Sequence, residues 1–238
     1  MAQAGVQARV LSINVVHDLI ADPGGSVGRT AIDKRPLAGS AQIQQLGVVG
    51  DTCMDRRDHG GRDQAVYAYA REDQQAWEGE LGRPVPAGSF GENLTTADLD
   101  VTGAVIGERW ELAGSDGSAA VLVEVTAPRI PCLTFQAFAG EPHWVKRFTD
   151  RGAPGAYLRV LSEGVVDPGA AVTVVHRPAH AVTIGEVFVL RLADPDRLRR
   201  LLAEGVDLNQ TLVEAVTSQL RRTAAKEPGA MAAARRPA

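Results

Sequence analysis

The chain has 238 residues, a formal net charge of −4 and 45% hydrophobic residues, which is ordinary for a protein with a packed core. A negative net charge argues against nucleic-acid binding, and no apolar run is long enough to cross a membrane. The N-terminal stretch lacks the basic start and apolar core of a secretory signal, and two cysteines do not make a disulfide framework. We therefore expect a cytoplasmic globular protein with neither a nucleic-acid nor a membrane partner.

Short β-strands dominate the first three quarters of the predicted structure, because runs rich in β-branched residues alternate with glycine and proline. The predicted strands lie at residues 9–15, 65–69, 119–125 and 170–175, with two more between residues 101 and 112. One clear helix is predicted over residues 71–81, where Trp77 and Leu81 have helical spacing. Many short strands joined by glycine-rich turns predict a mainly β protein, either a barrel or a sandwich.

The apolar period changes after Pro178, which predicts a helical C-terminal part. Thr183 and Glu186 have the spacing of a capping box, and Asp194-Pro195 provides an N-cap and a first-turn proline. Three helices are predicted, over residues 183–192, 194–205 and 209–222. Acidic residues balance the arginines of this part, so we expect solvated helix faces rather than a DNA-binding surface.

These patterns divide the chain into three predicted parts. They are a β domain at residues 1–178, a three-helix domain at residues 179–226 and a disordered tail at residues 227–238. The three helices are expected to pack against the β domain or against a second subunit, as in a homodimer.

Residues 128–132, Pro-Arg-Ile-Pro-Cys, carry the strongest chemical signal. The two prolines stiffen the backbone, and Arg129 could favour the thiolate of Cys132 if the fold turns it toward the sulfur. A thiolate is both a nucleophile and a soft metal ligand. The alternative is a buried structural cysteine, since free cysteine is among the most buried residue types.

Two further polar segments could complete a site. His59 precedes Gly60 and Gly61, whose backbone N–H groups are able to face an anion; the alternative is a hairpin loop with a solvent-facing histidine. Residues 88–96 place a carboxylate and the amide of Asn93 in a turn that is able to hydrogen-bond a heteroaromatic ring. The alternative for this segment is a plain turn between strands.

In their order along the chain, these segments resemble the MOSC family, which is named for the C-terminal domain of molybdenum cofactor sulfurase. The resemblance runs from about residue 9 to residue 176. Its elements are residues 28–37, 46–51, 59–61, 90–93, 128–132 and 155–161. It implies a strongly bent, partly open β-barrel, and the predicted C-terminal helices resemble the three-helix appendage of stand-alone bacterial members.

The resemblance also implies a molybdenum cofactor (molybdopterin), in which the dithiolene of a phosphorylated pterin holds the metal. Cys132 matches the family cysteine that completes the metal coordination, and it is expected to be catalytic together with His59, a candidate proton donor. The implied cofactor contacts are Thr30, Lys34, His59, Gly60, Gly61, Asn93, Arg129 and Cys132. Cys53 lies outside the family motif and is expected to be a bystander thiol near the site.

Members with this helical tail resemble reductases of small N-hydroxylated substrates, such as hydroxylaminopurines and amidoximes. The implied function is therefore molybdenum-dependent reduction of an N-hydroxyl group to the amine, which would detoxify N-hydroxylated bases. Because the sequence has neither a CxxC nor a GxGxxG motif, electrons are expected to come from a separate reductase. Two alternatives stay open: a sulfur-carrier or cofactor-handling protein with a persulfide on Cys132, and a protein that only stores the cofactor.

Overall fold

The computed structural model describes residues 7–54 and 60–193, together with residues 197, 200, 201, 203, 213 and 217. The strands in this part are β1 (Arg9–Ala21), β2 (Arg29–Pro36), β3 (Ala41–Gln44), β4 (Gly47–Val48), β5 (Val66–Ala70), β6 (Leu94–Ala97), β7 (Arg109–Leu112), β8 (Val121–Pro128), β9 (Ala156–Ser162), β10 (Gly164–Val166) and β11 (Val172–His176). The helices are α1 (Arg71–Leu81), α2 (Leu133–Ala139), α3 (Trp144–Arg151) and α4 (Ile184–Ala193). No helix among these residues has the length and apolar character that a bilayer span requires.

Eight strands form one strongly bent sheet in the order β11-β7-β8-β9-β5-β6-β1-β2, and β10, β3 and β4 form a small second sheet. In the large sheet only β5 and β6 are parallel neighbours. The bend brings the start of β1 to the start of β11, where Val10 N–H donates to Ala170 O (2.9 Å) and Val172 N–H donates to Ala8 O (2.7 Å). The two strands share an isolated bridge instead of a ladder, so the sheet is not closed. The expected mainly β, partly open barrel is confirmed.

Two clusters of buried side chains hold this architecture together. Aliphatic residues of the bent sheet form the larger cluster, as the alternating burial of β8 and β9 illustrates. The second cluster is aromatic and lies where α1, α2 and α3 pack beside the sheet. Its fully buried rings are Tyr69, Trp77, Phe135, Trp144, Phe148 and Phe188. The aromatic cluster supports one wall of the site described below.

Several sequence predictions are confirmed and some are wrong. The helix over residues 71–81 is α1, and α4 begins where the capping box predicts, with Glu186 N–H donating to Thr183 Oγ1 (3.1 Å). Between residues 101 and 112 only β7 forms, because Val105 makes a single bridge with Thr183 in place of a ladder. Helices α2 and α3 were not predicted: they are seven and eight residues long, and burial of their aromatic residues in the second cluster stabilises them.

Most of the second and third predicted C-terminal helices, and the predicted disordered tail, lie outside the described residues. The described positions there have helical backbone. Leu201 is buried in the aliphatic cluster and Val213 packs against it, so at these positions the C-terminal part contacts the β domain.

Candidate functional site

A cavity of about 210 Å³ opens beside the β1–β2 loop, next to the end of β8 and the start of α2. It gathers side chains that are far apart in sequence. Those among the predicted site residues are Thr30, Lys34, Gly60, Asn93, Arg129 and Cys132. Gly61 does not line the cavity, and His59 lies outside the described residues. The fold therefore brings six of the eight predicted contacts to one place.

Cys132 lies at the N-cap of α2, four residues after the end of β8, with extended backbone (φ −126°, ψ 173°). Its side chain is partly exposed on the cavity wall. Cys53 lines the same cavity, and neither cysteine is in a disulfide. The structure thus places Cys53 in the same cavity as Cys132, and its expected role as a bystander thiol stays a prediction.

Arg129 is 94% buried, with 6% of its surface exposed, yet it carries a permanent charge. Its guanidinium carbon lies 3.6 Å from the centre of the Phe135 ring and 5.6 Å from that of Tyr67. This cation–π stacking holds the guanidinium in place. Its Nη1 is buried and has no hydrogen-bond acceptor within the described part of the chain. A buried donor without an acceptor is costly, which points to a polar ligand at this position.

On another wall of the cavity, Asp51 is the centre of a polar network. Its carboxylate accepts hydrogen bonds from Lys34 Nζ (2.6 Å), Asn93 Nδ2 (2.7 Å) and the backbone N–H of Val16 (3.0 Å). Both members of the Lys34–Asp51 ion pair are mostly buried, with 12% and 13% of their side chains exposed. The network fixes the position of the lysine ammonium at the cavity wall.

The side-chain amide of Asn93 forms its hydrogen bonds within this network. Its amide nitrogen donates to Asp51 and to Asn14 O (3.2 Å), and its carbonyl oxygen accepts from the backbone N–H of Tyr67 (3.1 Å). An amide has two N–H hydrogens, so both are used within the protein. Asn93 thus positions its neighbours, and the predicted donation to a ring is not available in this arrangement.

The carboxylate of the same turn, Glu92, is fully buried inside its own loop and does not line the cavity. It accepts from the backbone N–H groups of Gly88 (2.5 Å) and Phe90 (3.0 Å), and from Gln74 and Thr95. Burial raises the pKa of Glu92, while these hydrogen bonds act to lower it. Gly88 is required because a Cβ there would lie 2.2 Å from the backbone oxygen of Lys34. Glu92 therefore shapes the loop that packs against the lysine strand.

The glycine pair and Thr30 have more modest roles. Gly60 and Gly61 have positive φ angles of 84° and 77°, which favour glycine. The N–H of Gly60 donates to Gln64 Oε1 (3.2 Å), so the amide predicted to face an anion has a protein partner. Thr30 Oγ1 accepts from the N–H of Ile32 (3.2 Å) at the cavity wall.

Tyr157 is a cavity residue that the sequence analysis missed. It pairs with Tyr67 across β9 and β5, and their ring centres are 5.3 Å apart. Burial raises its pKa above the usual value; the charge and hydrogen bond of Arg129 oppose this, and Cys132 and Cys53 add to it. No local sequence signal separates this tyrosine from a core residue, because its neighbourhood is assembled from distant segments.

The sequence profile described as "MOSC domain" matches residues 55–173. The uncharacterised protein YflK of Bacillus subtilis is 33% identical over 175 residues, which are 74% of this chain and 76% of YflK. A protein named "Reductase" from Gibberella moniliformis is 32% identical over 159 residues, 65% of this chain but only 27% of that longer protein. The crystal structure of YiiM from Geobacillus stearothermophilus superposes with a TM-score of 0.72 at 29% identity, covering 90% of this chain and 99% of YiiM. The chain belongs to the MOSC domain family.

Proposed function

We propose that the cavity binds the molybdenum cofactor and that the protein reduces small N-hydroxylated compounds, such as hydroxylaminopurines or amidoximes, to the amine. The observation that carries this proposal is the buried guanidinium of Arg129, whose Nη1 has no acceptor among the described residues and which lines the same cavity as Cys132. MOSC domains are associated with this cofactor, and one relative is named as a reductase. These comparisons support the class of chemistry, and the substrate is our proposal.

The chemistry of the cavity wall suits such a cofactor. A cysteine sulfur is a soft donor for a metal, and Arg129 offers a fixed N–H donor to a phosphate or a pterin carbonyl. Lys34 adds a compact positive charge for the same anion, although Asp51 already compensates part of it. When bound, the cofactor would supply the two-electron chemistry that removes oxygen from nitrogen.

The other side chains orient groups and hold protons. Asp51 and Asn93 keep Lys34 in place through hydrogen bonds that the protein itself satisfies. Tyr157 lines the same cavity and is a candidate proton donor there. Burial raises the pKa of its phenol, which therefore holds its proton. Electrons would come from a separate reductase protein.

The proposal is tested by elemental analysis of protein made with molybdate in a host that synthesises the cofactor. We expect near-stoichiometric molybdenum in the parent protein, loss of the metal in Cys132→Ser, and retention in the matched control Cys53→Ser. Reduction of 6-hydroxylaminopurine or benzamidoxime with reduced methyl viologen is then expected for the parent and for Cys53→Ser only. Full molybdenum retention in Cys132→Ser would refute the ligand assignment, and a loaded protein that reduces neither compound would refute the reaction.

A second candidate function is a sulfur carrier with a persulfide on Cys132. The observation in its favour is that Cys53 lines the same cavity, so a second thiol is present in the chamber that would hold the persulfide. Mass spectrometry of the intact protein distinguishes the two functions. One added sulfur atom on Cys132, together with the absence of molybdenum, would favour the carrier.

A further inference from the structure

Two apolar side chains are exposed at the mouth of the cavity. Val27 lies in the β1–β2 loop and Leu46 at the tip of the β3–β4 hairpin, and both line the cavity. Their exposed fractions are 46% and 74%. Leu133, directly after Cys132, is also an exposed apolar residue. Exposed apolar side chains thus gather beside the opening.

The hairpin itself does not require a leucine at position 46. Gln44 pairs with Gly47, which leaves a two-residue turn of Gln45 and Leu46. Turns of this length favour glycine, asparagine or aspartate, and an exposed leucine there adds nothing to the turn. The backbone N–H of Gln45 donates to Glu163 (2.9 Å), and this bond helps to hold the hairpin tip at the cavity.

The loop that carries Val27 is also held in a defined position. Asp22, which is 7% exposed, accepts a hydrogen bond from Thr134 Oγ1 (2.5 Å), two residues after Cys132. Its N–H donates to Gly28 O (2.9 Å) and closes the loop. A Cβ at Gly25 would lie 2.2 Å from the Asp22 carboxylate, which would have to move. The mouth is therefore preformed around the start of α2.

The cavity has two chemically different regions. Lys34, Asp51 and Arg129 place charge on its walls, where the proposed cofactor would bind. Val27 and Leu46 provide apolar surface at the opening, which a substrate must pass to reach the sulfur of Cys132.

We infer that Val27 and Leu46 select N-hydroxylated substrates that carry an apolar, flat ring next to the N-hydroxylated group over small polar or aliphatic ones. The inference rests on the proposed function and adds the residues that discriminate between substrates. Contact with a ring would remove apolar surface of both side chains from water. A protein partner is the other candidate occupant of this surface. A substrate fits better, because both side chains line the cavity instead of lying on the surface around it.

The test uses cofactor-loaded protein with benzamidoxime, acetamidoxime and reduced methyl viologen, which bypasses any protein partner. In Leu46→Ser, and more weakly in Val27→Ser, we expect KM for benzamidoxime to rise about tenfold, the effect of roughly one buried aliphatic contact. The kcat for benzamidoxime and the KM for acetamidoxime are expected to stay unchanged.

The matched controls are Val175→Ser, since Val175 is 49% exposed on β11, and Leu161→Ser, since Leu161 is 40% exposed on β9. Neither residue lines the cavity, and both variants should behave like the parent. An unchanged KM for benzamidoxime in Leu46→Ser, or an equal rise for both amidoximes, would overturn the inference. So would a defect that appears only when a reductase protein replaces the viologen, because that result identifies a docking surface.

Binding of the products, benzamidine and acetamidine, is measured by calorimetry. This measurement distinguishes a failure of the inferred selectivity from a failure of the proposed reaction. If the loaded parent reduces neither amidoxime but binds benzamidine more tightly than acetamidine, and Leu46→Ser removes that preference, the proposed reaction fails and the apolar selection stands. If the parent reduces both amidoximes with the same KM and binds both amidines equally, the reaction stands and the selection is wrong.

Discussion

The cavity has two mostly buried cations, Lys34 and Arg129, and the protein stabilises their charges in different ways. Lys34 is paired with the Asp51 carboxylate, which also accepts from Asn93, so a buried counter-charge compensates the ammonium. Arg129 lies on aromatic rings and keeps a buried Nη1 without an acceptor in the described residues. A compensated ion pair contributes to folding and positioning, whereas a buried donor without an acceptor contributes little to folding. The predictions that follow test this difference.

The largest expected effect is the loss of molybdenum when Arg129 is replaced. Arg129→Met keeps apolar contact with the Phe135 ring and removes the unpaired donor, so the free energy of unfolding should change little or increase. Binding of the cofactor should be lost, because the positive charge of this cavity residue is gone. Molybdenum content and thermal unfolding of the same preparation measure both effects. The matched control is Arg151→Met, since Arg151 stacks on Trp77 at 4.0 Å but does not line the cavity; its molybdenum content should be normal.

An intermediate effect is expected when Asp51, the partner of Lys34, is replaced. This effect should be a decrease in the free energy of unfolding. Asp51→Asn leaves the mostly buried Lys34 ammonium without its counter-charge, which should cost about 2 kcal/mol of unfolding free energy. Denaturant titration measures this loss. Asp33→Asn, which breaks the Arg35 pair whose arginine is 58% exposed, should cost about 0.5 kcal/mol or less. Equal losses in the two variants would show that the mostly buried Lys34–Asp51 pair contributes no more stability than an exposed ion pair.

The smallest effect concerns Asp73 on α1, which lines neither wall. Burial raises its pKa to about 6, and Asp100 and Glu72 add to the shift. The folded state thus binds the Asp73 proton more tightly than the unfolded state does. This stabilising contribution is complete below about pH 4 and is lost as the pH rises through 6. Asp73→Asn should therefore be more stable than the parent by about 1 kcal/mol at pH 7.5, with no gain at pH 4. Melting curves at the two pH values provide the measurement, and the same gain at both would exclude Asp73 as the source.

Parts of the site could be predicted because the family motifs lie in short continuous segments. Residues 128–132 indicated Arg129 and Cys132, and the structure brings both to the cavity with Lys34. Asp51 was part of a matched segment, but its role depends on Lys34 and Asn93, which are 17 and 42 residues away. The short helices α2 and α3 were missed because tertiary burial of their aromatic residues stabilises them.

The sequence by itself determined that this is a mainly β chain of the MOSC family with a helix, α4, after the strands, because strand periodicity, capping signals and short motifs are local properties. Only the tertiary structure decided which polar groups are satisfied and which face a cavity. Both amide hydrogens of Asn93 are used within the protein, Arg129 has a buried donor without an acceptor among the described residues, and Val27 and Leu46 line the same cavity. The physical reason is that hydrogen-bond satisfaction and burial depend on partners from distant segments, and the bend of the sheet brings these segments into contact.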